Sequence, residues 1–161
     1  MVSERIGQII GYNIGNCRRG ISRGQNKKRS VYKMTAKIES NFGREIMKNI
    51  NVQWTRIENR HGGGIPDLYG IRDGVSIWLE LKCINKNSIN ISPLQISWNY
   101  NHFKENGKNY YIVQDTRSKV IKIYDGDKGR ELAKQGYLYG GQSLILPPPT
   151  KWEDLQSFLF P

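Results

Sequence analysis

Apolar residues recur at every fourth position from Met34 through Ile38, Phe42 and Ile46 to Ile50. Side chains four apart share one face of an α-helix, so this spacing predicts an amphipathic helix of about four turns. The period then changes to two. Val52, Trp54 and Arg56 alternate with Gln53, Thr55 and Ile57, which predicts a strand over 51–58. His61 and the run Gly62-Gly63-Gly64 interrupt it. Residues 68–71, the pair Asp73-Gly74 and the run 75–83 then read as a β-hairpin, because Asp-Gly tolerates the positive φ angles of a two-residue turn. After a polar loop, Ser92-Pro93-Leu94-Gln95 supplies a capping serine, a proline at the first helical position and a glutamine three residues past the cap. A helix over 93–106 follows, with Gly107 as its stop. Segments 110–114 and 120–124 look like strands and 128–135 like a short helix. Pro147-Pro148-Pro149 precedes a terminal helix over 152–159. The order helix, three strands, helix, two strands predicts an α/β core built on a mixed sheet.

A chain of 161 residues fits one compact domain with a tail. The domain is expected over 34–161 and a flexible arm over 1–33, since 11–30 is polar and glycine-rich without sustained periodicity. The formal charge is +11, and residues 1–37 hold nine Lys and Arg against the single acid Glu4. Such an excess favours a polyanionic partner. The arm residues Arg18, Arg19, Arg23, Lys27, Lys28 and Arg29 are therefore expected to bind nucleic acid; a solvated tail and an organellar transit peptide have similar composition. Two cysteines, Cys17 and Cys83, lack zinc-binding spacing and fit a reducing, cytosol-like compartment. No apolar run approaches the roughly 18 residues of a membrane span, so a soluble protein is expected.

Strand alternation sends Glu80 and Lys82 to one face of the 75–83 run, and Leu79, Leu81 and Cys83 to the other, into packing. Asp67 lies across the proposed hairpin. Neighbouring strands are about 4.8 Å apart, so Asp67 and Glu80 can converge on one cation if the register allows. Paired carboxylate oxygens suit magnesium, and a lysine beside them would position or activate a water or stabilise developing charge. An acid two residues before a lysine is ordinarily a solvated strand face. Here the pair sits in an apolar run, twelve residues or so after a Pro-Asp that follows a glycine-rich turn, and a charged pair in such a strand needs a reason.

Gly64-Ile65-Pro66-Asp67, Trp78-Leu79-Glu80-Leu81-Lys82 and Ser92-Pro93-Leu94-Gln95 together resemble the PD-(D/E)XK nuclease superfamily. Their order is similar to VRR nucleases and to phage and archaeal-type Holliday junction resolvases, and the resemblance spans about residues 34–115. It implies a restriction-endonuclease-like α/β core, a central mixed sheet flanked by helices. It also implies a magnesium site, with manganese able to substitute, held by Asp67, Glu80 and a glutamate of the first helix, with Lys82 catalytic and Gln95 near the site. Glu39 and Glu45 flank the helix stripe at similar angles. The family pattern, with apolar residues three and seven positions after its glutamate, favours Glu39, since Phe42 and Ile46 follow it. Gln95 has a second reading as the partner of Ser92 in a capping box.

The function so implied is DNA endonuclease activity on branched or Holliday junction DNA, in a bacterial or phage-infected host cytosol. A sequence-specific homing endonuclease of the same fold and a non-catalytic nucleic-acid-binding protein are the alternatives. A paired cut needs two active sites, so a homodimer or larger homo-oligomer is expected. The glycine run offers either a backbone approach to phosphate or a plain hinge. His61 and His102 lack metal-ligand partners and read as surface residues. Trp54, Trp78 and Trp98 read as core, and Tyr137 and Tyr139 as contacts to nucleic acid or a second subunit.

Overall fold

The computed structural model describes residues 23–57 and 63–161. α1 (Arg23–Asn49) leads through β1 (Gln53–Arg56), β2 (Leu68–Arg72) and β3 (Val75–Ile84) to α2 (Pro93–Lys104). β4 (Asn109–Asp115), β5 (Ile121–Asp125), α3 (Gly129–Gln135), β6 (Leu144–Leu146) and α4 (Trp152–Leu159) follow. The strands form one six-stranded mixed sheet in chain order, β1-β2-β3-β4-β5-β6. β3 and β4 run parallel and the other neighbours antiparallel. A parallel pair needs a long crossover, and α2 supplies it. The fold is therefore α/β, as the pattern predicts. No helix among the described residues is long and apolar enough to cross a membrane.

Each face of the sheet buries its own layer. Ile77, Leu79, Leu81 and Cys83 of β3 pack with Phe42, Ile46 and Ile50 of α1 and with Leu155 and Leu159 of α4. The opposite face packs Ile84, Tyr111, Val113 and Tyr124 with Leu132 of α3 and with Ile89 and Ile91 from the loop before α2. β3 is buried on both sides from Leu79 to Ile84, the stretch that carries Glu80 and Lys82. The hairpin turn forms where Asp-Gly stands: Arg72 pairs with Val75, and Asp73 and Gly74 have φ of 49° and 79°.

Several boundaries differ from expectation. α1 begins at Arg23, inside the segment assigned to a flexible arm, while residues 1–22, with Arg18 and Arg19, lie outside the described residues. Gln25, Lys27, Lys28 and Arg29 are good helix formers, and a helix already nucleated by its packed half extends at low cost. Arg23, Lys27, Lys28 and Arg29 therefore belong to the backbone of α1. Met34, placed in the apolar stripe, is 59% exposed. Glu39 already meets Cys83 near the end of β3, so the turns before it run past the sheet. At the other end of α2, Asn106 and not Gly107 takes the left-handed conformation, with φ of 61°. Asn106 N–H donates to Phe103 O and Gly107 N–H to His102 O, the paired bonds of a Schellman stop. β6 went unforeseen because three residues between glycines and prolines show no period.

The tryptophans divide. Trp54 packs against the α1 layer and donates Nε1–H to Ile50 O. Trp78 and Trp98 instead form a half-buried group with Tyr69 and His102, in which His102 stacks on Trp98 at 4.8 Å, outside both core layers. Tyr137 and Tyr139 are both half-buried. Tyr137 OH donates to Val120 O and Tyr139 stacks on Tyr124, so both pack against the layer of Tyr111, Val113 and Tyr124.

Candidate active site

The site grows from the point where β2 stops accompanying β3. Leu68 pairs with Leu79, and continuing that register would set Pro66 opposite Leu81. Proline has no N–H to give, and the ladder ends there. The two β3 donors beyond it are taken by carboxylates instead. Leu81 N–H donates to Asp67 Oδ2 at 2.8 Å, and Cys83 N–H donates to Glu39 Oε1 at 3.2 Å. Asp67 and Glu39 thus finish the strand edge as side chains where a neighbouring backbone would have done so. The second oxygen of each has no hydrogen-bond partner among the described residues.

This arrangement separates the two helix glutamates. Glu39 reaches β3, while Glu45 is exposed. Helix periodicity left them equivalent; the docking angle of α1 on the sheet distinguishes them.

Glu80 and Lys82 point to the α2 face, as strand alternation requires. Glu80 is 0% exposed and Lys82 9%. Lys82 Nζ meets Glu80 Oε1 at 2.7 Å. Gln95 Nε2–H donates to the same oxygen, while Gln95 Oε1 accepts from Ser92 N–H at 3.0 Å and Ser92 Oγ accepts from Gln95 N–H. The two readings of Gln95 are therefore compatible: its carbonyl closes the capping box of α2 and its amide holds Glu80. Tyr111, directly opposite Glu80 on β4, donates its hydroxyl to Gln95 O and so supports the first turn of α2. Sequence reasoning missed Tyr111, because its position opposite Glu80 arises only from the parallel register.

Burial pushes the Glu80 carboxyl up to about 8; Lys82 pulls against this, and Asp67 and Glu39 add to it. Burial likewise raises Asp67, against the Leu81 N–H, Lys82 and Arg56, and raises Glu39 against Lys82 and the Cys83 N–H. Burial works against the Lys82 ammonium, but Glu80, Glu39 and Asp67 outweigh it and hold its pKa above the ordinary value. The lysine is thus a fixed cation among three carboxylates. One oxygen, Glu80 Oε2, is buried without a hydrogen-bond partner among the described residues.

Glu39, Asp67, Lys82 and Gln95 open on a cleft of about 1130 Å³, with Glu80 buried beneath them. Ile65 and Leu94, which also line it, are 40% and 58% exposed. Gly64 explains how the two walls meet. Its φ is +70°, and a Cβ there would run into the backbone of Leu94 and Gln95. The 63–66 loop is therefore docked on the first turn of α2, and Gly64 is not a free hinge. His61 and Gly62 lie outside the described residues.

Glu39, Asp67 and Glu80 interact electrostatically, yet their oxygens are turned to strand N–H groups, Lys82 and Gln95. Among the described residues no three His, Cys, Asp or Glu side chains are gathered closely enough to hold a metal ion as they stand. The donor chemistry nevertheless fits a hard divalent cation: every candidate ligand is a carboxylate oxygen, three carboxylates face one ammonium, and a buried oxygen is left over. Compared with protein-family models and with curated proteins, the chain matches none, so its function has to be read from the site itself.

Proposed function

We propose that the protein is a magnesium-dependent DNA endonuclease that hydrolyses phosphodiester bonds, acting on branched DNA such as a Holliday junction. One observation carries the reading: carboxylates from α1, the start of β2 and β3 surround a single buried lysine at the floor of an open cleft. Carboxyl groups crowded together and kept from water have their ionised forms disfavoured, and a bound cation would relieve this. Asp67 and Glu80 would hold magnesium, with Glu39 beside them, and manganese would substitute. When bound, the ion supplies positive charge against the charge developing on the phosphoryl group.

The remaining roles belong to the protein. Lys82 stays protonated at neutral pH, so it acts as a donor: it holds a phosphate oxygen or the attacking water and stabilises developing charge. Gln95 fixes the Glu80 carboxylate by donating to Oε1, and the cap of α2 fixes Gln95. Asp67 and Glu39 are oriented by the strand edge, which leaves little reorganisation to be made when substrate arrives. The surplus of basic residues supplies attraction for the phosphate backbone. A paired cut across a two-fold substrate would require the enzyme to act as a homodimer.

The test is nicking of supercoiled plasmid with and without magnesium. Asp67→Ala and Glu80→Ala are each expected to lose on the order of 100-fold or more in rate while still binding DNA. If both variants nick like wild type, the assignment is wrong. Binding without any cleavage by wild type would favour a non-catalytic DNA-binding protein. Cleavage of linear duplex at one sequence, with no preference for a four-way junction, would favour a homing-type enzyme.

A further inference from the structure

The segment between β3 and α2 has the composition of a mobile loop and the anchoring of a rigid one. Ile84 O accepts from both Thr116 N–H, at 2.7 Å, and Thr116 Oγ1–H, at 2.9 Å. Asn87 is held at three points: its carbonyl accepts from Tyr137 N–H, its Oδ1 accepts from Leu138 N–H, and its Nδ2–H donates to Gln135 O. Gly136, with φ of +74°, lets that backbone come close, since a Cβ there would strike Asn87 O. Ile89 and Ile91 are 5% and 7% exposed and pack in the layer of Tyr111, Val113 and Tyr124, and Ser92 caps α2.

Between these anchors, Asn85, Lys86, Ser88 and Asn90 are exposed and line the cleft above Lys82 and Gln95. Their side chains make no hydrogen bond or ion pair among the described residues. Ordering a loop costs backbone entropy, and here that cost has been met before any ligand arrives. The outcome is a preorganised row of amide, hydroxyl and ammonium groups with all their hydrogen-bonding capacity unspent, facing the site from one side.

We propose that this row is a DNA-binding rim: Asn85, Ser88 and Asn90 hydrogen-bond the nucleotides flanking the scissile phosphate, and Lys86 pairs with a neighbouring backbone phosphate. The inference rests on the endonuclease reading and adds to it the residues that hold the strand in place. Amides and hydroxyls serve base edges, sugars and phosphates alike, whereas a lysine serves the phosphate.

The experiment uses full-length protein and a fluorescent four-way junction with its linear duplex control. Affinity is measured in calcium over a salt series, and cleavage in magnesium. The triple variant Asn85→Ala, Ser88→Ala, Asn90→Ala should raise Kd and KM about tenfold, with kcat at saturating DNA within about twofold of wild type. Lys86→Gln should reduce the slope of log affinity against log salt by about one. All four positions are exposed, so melting temperatures should match wild type, and Asn87→Ala, which removes an anchor, should lower both melting temperature and affinity. If wild type binds and cuts while the triple and Lys86→Gln variants keep its Kd, KM and salt slope, the rim is refuted and the endonuclease reading survives. If wild type neither binds nor cuts DNA, both fall.

Discussion

A carboxylate such as Glu80 is stable in a protein interior only if something offsets its lost hydration, and Lys82 does this incompletely, leaving the pKa at about 8. In the metal-free protein the folded state therefore binds a proton on Glu80 more tightly than the unfolded chain does. The stability from this group is fully present below its ordinary value of 4.5 and is lost as pH rises through about 8. Asp67 and Glu39, also raised, act in the same direction. Magnesium favours the ionised oxygens, so the gain in melting temperature on adding it should be small near pH 5 and grow steadily toward pH 8. Thermal denaturation in magnesium and in a chelator checks this, and a gain that does not vary with pH would detach magnesium from these carboxylates. Side-chain identity made Asp67, Glu80 and Lys82 legible in the sequence. It did not show that Asp67 and Glu39 would each spend one oxygen on a strand N–H, because that depends on where β2 ends.

At the level of elements, the Asp67 loop and α2 have to be held together for Asp67 and Gln95 to share a cleft, and Gly64 is the joint. Gly64 and Gly74 both have positive φ, but a Cβ at Gly74 meets nothing within 4 Å, whereas at Gly64 it meets the Leu94 backbone. Gly74→Ala should therefore cost only the backbone strain, about 1 kcal/mol. Gly64→Ala should cost a further 1–3 kcal/mol or so and slow DNA cleavage, because relief of the clash moves Asp67 away from α2. Urea denaturation and plasmid nicking of both variants measure the difference. Equal costs with unchanged cleavage would show that the loop does not rely on this contact. The hairpin and the capped helix could be read locally, from Asp73-Gly74 and from Ser92-Pro93, since turn and cap chemistry act over a few residues.

For the whole molecule, charge and the length of α1 act together. Five Lys or Arg fall within residues 23–33, and the helix that carries them continues into the turns bearing Glu39. At 1.5 Å per residue the 27 residues of α1 span about 40 Å. If this extension meets DNA, replacing Lys27, Lys28 and Arg29 by glutamine should lower the slope of log affinity against log salt by about two to three and leave kcat at saturating DNA unchanged. An unaltered slope would remove the extension from the DNA interface.

The sequence alone determined what is local or periodic. The every-fourth apolar spacing before Ile50, the alternation through Val75 and Cys83, the Asp-Gly turn and the Ser92 cap each follow from interactions within a few residues, and they were enough to predict an α/β protein with Glu80 and Lys82 on one strand face. Tertiary structure decided everything that depends on two distant segments meeting: Glu39 over Glu45, Tyr111 opposite Glu80, Gly64 against Leu94, and the pinning of Asn87 by residues 135–138. The physical reason is that period and propensity specify which way a side chain faces within its own element. What it faces is set by the register and docking angle of another element, and these are properties of the packed core rather than of any short stretch of chain.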